Sequence, residues 1–389
     1  MRGPSVRPVV IAAGGTGGHL FPAEALAAEL VARGERVALM TDARSGAFES
    51  PAFSNAERFV LQGAGLTGRS LLRAARGVGA LAAGTVAARR HLAGLDAAAV
   101  VGFGGYPSVP PLLAARLLPA RRRPVTVLHE QNAVLGRANR LLARTADALA
   151  LSFAGTAHLP PPGSGGRPVT VGNPVRPALA ALAGAGYAPP AEGGAFRLLV
   201  LGGSLGARVF SDVVPAAVAS LPAALRARLV VSQQCRPEDI ARVRDAYAET
   251  GVPAELAPFF PDVATRLATT HLVIARAGAS TVAELACAGR PAVLVPLPHA
   301  IDDHQTANAR ALVEAEAAWL LPQPQFSAAA LGTLLARFAG EPAILHAAAR
   351  AASSLARPEA ARQLADLVLS LVQAAQRDAA VPAPHKVAP

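Results

Sequence analysis

Twice along this chain a short aliphatic run ends in a cluster of glycines and gives way to an alanine-rich stretch. Val9–Ala13 leads into Gly14-Gly15-Thr16-Gly17-Gly18-His19, and Arg197–Leu201 leads into Gly202-Gly203-Ser204-Leu205-Gly206-Ala207. A buried strand, a glycine loop and a helix open a βα unit. A chain that opens two such series is constrained to parallel sheets with helices on their faces. Further strands are expected at Ala97–Val101, Val125–His129 and Val169–Val171 in the first series, and at Leu229–Ser232, His271–Ala275 and Ala292–Val295 in the second. The first helix is expected from about Pro22 to Ala32, because proline suits an opening helical turn. Loops rich in proline and glycine, Pro160–Arg167 and Gly184–Gly194, lie between the series. The expectation is an α/β chain of two Rossmann-like domains. In such sheets ligands bind outside the carboxyl ends of the strands, so two facing arrays would enclose a cleft between two sets of loops.

Composition narrows the function. The 389 residues are enough for two cores, and 52% hydrophobic against 16% charged residues excludes a disordered chain. The two cysteines, Cys235 and Cys287, are far apart and form no CxxC pair, which argues against a disulfide framework and for a reducing compartment. Met1–Pro8 lacks a signal-peptide core, and no uncharged apolar run reaches the ~18–20 residues that span a bilayer. A net charge of +11 points to an anionic partner: nucleic acid, phospholipid or a phosphorylated substrate. At 4% aromatic residues the chain is too poor in stacking platforms for nucleic acid.

The first glycine loop fails the dinucleotide pattern, since Leu20 stands where GxGxxG requires the last glycine. No GxxxxGK loop occurs, Lys386 being the only lysine. What remains is either a tight strand–helix turn or an anion site at a helix start. His19 ends that loop, as a packing residue or as a base. In the second series Arg276-Ala277-Gly278-Ala279-Ser280-Thr281-Val282-Ala283-Glu284 follows a strand. Thr281 and Glu284 have capping-box spacing; alternatively Glu284 accepts from ribose hydroxyls while the helix start faces a diphosphate. Asp302-Asp303-His304-Gln305 and Asn308 offer a polar wall for a sugar, but their spacing is poor for three metal ligands on one helix face. No Asp-x-Asp triplet occurs, so a metal-free diphosphate site is expected. Leu66–Leu92 sets Leu71, Leu72, Val78 and Leu81 among Arg69, Arg73, Arg76, Arg89 and Arg90, which suits an anionic membrane surface or an ordinary solvated helix. Arg121-Arg122-Arg123 is the densest basic cluster.

Taken in order, Gly14–His19 with Phe21-Pro22-Ala23, Gly102-Phe103-Gly104-Gly105-Tyr106, His129-Glu130-Gln131-Asn132, Gly172-Asn173-Pro174-Val175-Arg176, Gly202-Gly203-Ser204 and Arg276–Glu284 resemble glycosyltransferase family 28 from about Val9 to Gln376. The likeness is to its branch that transfers N-acetylglucosamine to lipid I. It implies a GT-B fold: an N-terminal acceptor- and membrane-binding domain over 1–173, a UDP-N-acetylglucosamine domain over 174–357, a helix 358–376 packing back on the first domain, and a disordered tail 377–389. It implies an inverting transfer without metal or other cofactor, from UDP-N-acetylglucosamine to the muramyl 4-hydroxyl of undecaprenyl-diphosphate-MurNAc-pentapeptide, giving lipid II. His19 is the expected base. Thr16, Gly17, Gly18, Asn132, Arg176, Ser204, Phe260 (against uracil), Ala279, Ser280, Thr281, Glu284 (to ribose), His304 and Gln305 fall on the donor side. Gly15, Gly104, Tyr106 and again Asn132 fall on the acceptor side. Two positions depart from the family pattern: His304 replaces a frequent glutamine, and Ser232-Gln233 replaces a frequent His-Gln pair, so no role is assigned there. The implied setting is the cytoplasmic face of the bacterial inner membrane, with its anionic lipid and the proteins of wall synthesis and division as partners, and no nucleic acid.

Overall fold

The computed structural model describes residues 7–15, 17–46, 49–61, 71–203 and 206–380, with main chain alone at 71–75 and 380. It divides into two compact units. The first comprises Met1–Gln131, Leu135–Pro174 and Glu359–Pro389; the second comprises Asn132–Val134 and Val175–Pro358.

The first unit holds seven parallel strands: β1 (Val9–Ala12), β2 (Val37–Asp42), β3 (Glu57–Leu61), β4 (Ala99–Gly102), β5 (Val125–Glu130), β6 (Ala148–Leu151) and β7 (Arg167–Thr170). Their order is β3-β2-β1-β4-β5-β6-β7. The central strands are buried at every position, as expected where helices cover both faces. One face packs Val9, Ile11, Val101 and Val127 against Leu26 and Leu30 of the helix Gly17–Ala32 and against Leu364, Val368 and Val372 of the helix Ala360–Ala380. The other packs Val10, Met40, Val100 and Leu128 against Leu92 and Leu112. Arg33 ties the two helices on the first face, donating to Asp366 at 2.6 Å and to the Arg362 carbonyl at 3.4 Å.

The second unit holds β8 (Phe196–Leu201), β9 (Leu229–Gln234), β10 (Ala254–Ala257), β11 (Leu272–Ala275), β12 (Ala292–Leu294) and β13 (Ala318–Leu320), again all parallel, in the order β10-β9-β8-β11-β12-β13. The two sheets therefore repeat one winding. In each, the chain leaves the first strand in one direction and returns to its other side, so the strand order reverses at β1/β4 and at β8/β11. Loops beyond those strand ends diverge and leave room for a ligand. Both glycine loops follow these switch-point strands.

Two expectations need correction. The first helix begins at Gly17, so Pro22 lies inside it instead of opening it. The glycine pair Gly17-Gly18 is absorbed into the first turn, and Pro22, having no N–H, leaves the Gly18 carbonyl without its i+4 donor. The last helix runs to Ala380, so 377–380, expected as tail, continue its final turn; residues 381–389 lie outside the described part.

Candidate active site

In the first unit the carboxyl ends of β1, β4 and β5 bring together a histidine, a glutamine and a second histidine. His19 is the third residue of the helix Gly17–Ala32. Its Nδ1 lies 2.9 Å from Gln131 Oε1. The amide nitrogen of Gln131 lies 2.9 Å from His129 Nδ1 and donates to the His129 carbonyl at 3.0 Å. His129 Nε2 in turn lies 3.0 Å from the Gly172 carbonyl. His129 is fully buried, its ring 5.3 Å from that of Phe103, and burial pushes its pKa down to about 4. Glu130, next on β5, accepts from the Gly136 amide at 2.7 Å and from Asn139 Nδ2 at 2.8 Å, which fixes the strand end.

Gly104 and Gly105 close over the His19 ring with φ of +81° and +66°, a region that side-chain-bearing residues rarely adopt. A Cβ at Gly105 would stand 3.4 Å from His19 Nε2 and Cδ2. Tyr106, partly buried, is the second residue of the helix Gly105–Arg116. The Gly15 amide is already used, donating to Ser45 Oγ at 2.7 Å, whereas Gly17 and Gly18 lie in the opening helical turn. Thr16 lies outside the described residues.

In the second unit the corresponding loop follows β8. Gly202 admits no side chain, since a Cβ there would lie 2.4 Å from the Ala207 nitrogen. Gln234, at the end of β9, pins the loop: it accepts from the Gly202 amide at 3.0 Å and donates to the carbonyls of Gly203 and Pro258 at 2.8 and 3.0 Å. Ser204, expected on the donor side, lies outside the described residues.

Beyond β11 the helix Ala279–Ala288 begins with Gly278 as its cap and no side-chain capping bond. The capping box expected of Thr281 and Glu284 does not form, because the helix starts two residues before Thr281. The first-turn amides of Ala279, Ser280 and Thr281 are thus directed out of the helix end, where the helix dipole is positive. Ser280 Oγ is buried there with no hydrogen-bond partner among the described residues. One turn on, Glu284 is 12% exposed and lies 3.8 Å from Arg176 Nη2. Burial pushes its pKa up to about 7, and Arg176 opposes that shift. Arg276, at the head of the segment, donates to the carbonyls of Val295 and Pro296 at 3.0 Å and to Gln323 at 2.7 Å, so it braces the loop after β12.

Other expected site residues are placed less simply. Phe260 is 3% exposed, with the Arg266 guanidinium 4.0 Å from its ring centre, while its neighbour Phe259 is 57% exposed. The ring expected against uracil is thus covered on one face, and the exposed aromatic of the pair is Phe259. His304 opens the helix His304–Val313, its Nδ1 2.8 Å from the Ile301 carbonyl. Gln305 Oε1 accepts from the Leu297 amide at 2.9 Å. Asn308, expected in a sugar-facing wall, is wholly buried. It accepts from the Ala133 amide at 2.8 Å and donates to Asn132 Oδ1 at 3.1 Å and to the Ala277 carbonyl at 3.2 Å. It is a clip that holds Asn132, not a ligand contact. Gln233 and Ser232 serve the fold, accepting from Tyr247 at 2.6 Å and from Arg266 at 3.1 Å.

No three His, Cys, Asp or Glu among the described residues are grouped to hold a metal. Along the helix Leu71–Leu95, Arg76, Val78, Val86, Arg89 and Arg90 are exposed, but Leu81 packs inward and Leu92 is buried. The apolar face is therefore smaller than the sequence suggests; residues 62–70, including Leu66 and Arg69, and the side chains of Leu71, Leu72 and Arg73 lie outside the description. Leu117 is 61% exposed, and its carbonyl accepts from Arg89.

His129, Glu130, Gln131 and Gln234 are positions to which sequence reasoning gave no role of their own. The signal for Gln131 was present: three consecutive polar residues, His129-Glu130-Gln131, end a buried strand, where each must find a partner.

Residues 9–151 match the glycosyltransferase family 28 N-terminal domain, and residues 197–364 match the family's C-terminal domain. A relative from Granulibacter bethesdensis is 61% identical over 94% of both chains. Another from Acidiphilium cryptum is 56% identical over 96% of this chain and 99% of its own. Both are named UDP-N-acetylglucosamine--N-acetylmuramyl-(pentapeptide) pyrophosphoryl-undecaprenol N-acetylglucosamine transferase. Among solved structures, MurG of Acinetobacter baumannii aligns with a TM-score of 0.73 at 31% identity, over 94% of this chain and 99% of that one. The calicheamicin glycosyltransferase CalG4 (18%, TM-score 0.62) and the UDP-GlcNAc 2-epimerase of Neisseria meningitidis (10%, TM-score 0.63) share the fold alone. With both of its domains present in order, and near-full-length relatives at more than half identity, this chain belongs to glycosyltransferase family 28.

Proposed function

We propose that this chain transfers N-acetylglucosamine from UDP-N-acetylglucosamine to lipid I, the undecaprenyl-diphosphate-linked N-acetylmuramyl pentapeptide, and so makes lipid II for peptidoglycan. The reading is supported by the name shared by relatives that span the chain at 50–61% identity. The site observation that carries it is the start of the helix Ala279–Ala288. An open first turn, an unpartnered buried hydroxyl on Ser280 and a buried carboxyl on Glu284 together make a receptor for a sugar nucleotide. The diphosphate meets the amides of Ala279, Ser280 and Thr281, and Glu284 accepts from the ribose. Arg176, within reach of Glu284, holds that carboxylate charged when the ribose binds.

The muramyl 4-hydroxyl attacks the anomeric carbon from the face opposite the diphosphate. The bond from that carbon to the diphosphate oxygen breaks, its electron pair leaves with UDP, and the hydroxyl proton passes to His19. The charge that develops on the leaving group is met by the helix start, so the step needs no metal. Amide stabilisation of this kind is worth roughly 10²–10³ per donor. Gly104 lies beside His19, and Tyr106, two residues on, falls on the same acceptor side in this reading. The exposed arginines and valines of the helix Leu71–Leu95, with Leu117, rest on an anionic leaflet. On this reading the chain works at the cytoplasmic face of the inner membrane, beside the machinery of wall synthesis and division.

Transfer of radiolabelled N-acetylglucosamine to a short-chain lipid I analogue, with EDTA present, tests the reading. Transfer that tolerates EDTA is the expected result. Binding of the donor without transfer would sink the acceptor assignment, and transfer abolished by EDTA and restored by a divalent ion would sink the metal-free step.

A further inference from the structure

The hydrogen-bonded chain from His19 through Gln131 and His129 to Gly172 admits one arrangement of protons. Carbonyl oxygens only accept. The end of the Gln131 amide that lies 3.0 Å from the His129 carbonyl must therefore be nitrogen, because oxygen there would face oxygen. Its other end, Oε1, is then the atom 2.9 Å from His19 Nδ1, and that Nδ1 must carry hydrogen. At the far end, the Gly172 carbonyl 3.0 Å from His129 Nε2 requires hydrogen on Nε2. The second amide hydrogen of Gln131 then points at the lone pair of His129 Nδ1, 2.9 Å away. A second proton on His129 would meet that amide N–H head-on, and full burial disfavours the charge as well.

We propose that Gln131 and His129 are positioning residues that hold His19 in its Nδ1–H tautomer, making Nε2 the atom that takes the acceptor's proton. This rests on the transfer reaction proposed above and adds which atom works and what sets it. His19 Nε2 has no hydrogen-bond partner among the described residues, and the edge bearing it faces Gly105, which places no side chain over it. In the opposite tautomer, which a free imidazole favours, Nε2 bears hydrogen and offers the hydroxyl a donor instead of a base. The main-chain carbonyls of His129 and Gly172 impose the less common form from within the fold.

Selective ¹⁵N-histidine labelling of the full chain, read by long-range ¹H–¹⁵N correlation at alkaline pH, reports the tautomer of each of the nine histidines, and His19→Gln assigns the ring of interest. The expected result is hydrogen on Nδ1 of His19 and on Nε2 of His129. Gln131→Met, of similar length but without hydrogen bonds, moves His19 to the Nε2–H form and lowers kcat by about ten- to a thousand-fold, with KM for UDP-N-acetylglucosamine unchanged. A wild-type His19 ring bearing hydrogen on Nε2, or a Gln131→Met ring indistinguishable from wild type, overturns the proposal. The tautomer reading requires no acceptor. Expected rings without transfer to lipid I would refute the reaction of the preceding subsection and leave the tautomer assignment standing.

Discussion

The two units wind their sheets alike and place glycine loops at the same switch point, yet the polar groups at two of their strand and helix ends are handled differently. In the first, His129, Glu130 and Gln131 end β5 with their partners already in place inside the protein. In the second, Ser280 Oγ is buried without a partner among the described residues, and Glu284 has a cation at 3.8 Å, too far for a hydrogen bond. A closed network fixes where protons sit before any substrate arrives. An open one costs folding stability and leaves polar groups for a ligand to complete. On the proposed reading, the closed network presets a base and the open one awaits a nucleotide.

The largest expected effect removes the preset base. His19→Ala lowers turnover by roughly 10²–10⁴, while calorimetric affinity for UDP-N-acetylglucosamine stays within error. If instead affinity fell and turnover held, His19 would belong with the donor. Next comes stability against pH, where the units should slope in opposite directions. His129, held near 4 when folded against an ordinary 6.5, contributes stability that is present above pH 6.5 and lost as pH falls through 4. Glu284, raised to about 7 from 4.5, contributes stability that is present below pH 4.5 and lost as pH rises through 7. Each is worth on the order of 3 kcal/mol at about 1.4 kcal/mol per pKa unit. Trp319, the only tryptophan, lies on β13 against Phe338 and reports urea unfolding of the second unit. Its midpoint should drop from pH 5 to 8, and Glu284→Gln should flatten that drop; a wild-type midpoint independent of pH would contradict the raised carboxyl.

A smaller effect sharpens the contrast. Ser280→Ala removes an unsatisfied buried hydroxyl, so it should stabilise the empty protein by about 1 kcal/mol while weakening UDP binding by roughly tenfold. A thermal melt with and without UDP reads both signs at once, and a loss of stability in the empty protein would mean that the hydroxyl has a partner of its own. The smallest effect lies on the surface. Arg90→Ser should reduce partition onto anionic vesicles by about fivefold, near 1 kcal/mol for a basic side chain at a charged leaflet, and leave neutral vesicles unaffected. Equal loss on both vesicle types would argue against an electrostatic membrane face.

Much of this architecture was legible in the sequence because β-branched runs before glycine clusters identify parallel strands at a switch point. Five strands, β2, β3, β6, β10 and β13, were not read from the sequence. Two of them have other compositions: β6 is Ala148-Leu149-Ala150-Leu151 and β10 is Ala254-Glu255-Leu256-Ala257, sequences whose local preference is helical and which are strands only because they pair with neighbours. At the site, the residue types and their order along the chain were readable, but not their hydrogen bonds. Asn308 looked like a sugar contact because a polar residue near a strand end is ambiguous until burial is known. Thr281 and Glu284 looked like a capping box because the spacing fits, although the helix had already begun at Ala279. The relay through Gln131 depends on which carbonyl lies 3.0 Å from which amide, and a linear text carries no such distance.

The helix Ala360–Ala380 completes a core whose other members come from the start of the chain, with the whole second unit made in between. On a ribosome, the sheet face formed by Val9, Ile11 and Val101 would emerge early and stay uncovered until Leu364, Val368 and Val372 had been synthesised. At about 5–20 residues per second that wait is roughly 13–53 s, long enough for the second unit to fold first although it is encoded later. The order of birth and the order of maturation are thus reversed, and the half-built face is the natural client of a chaperone during that interval.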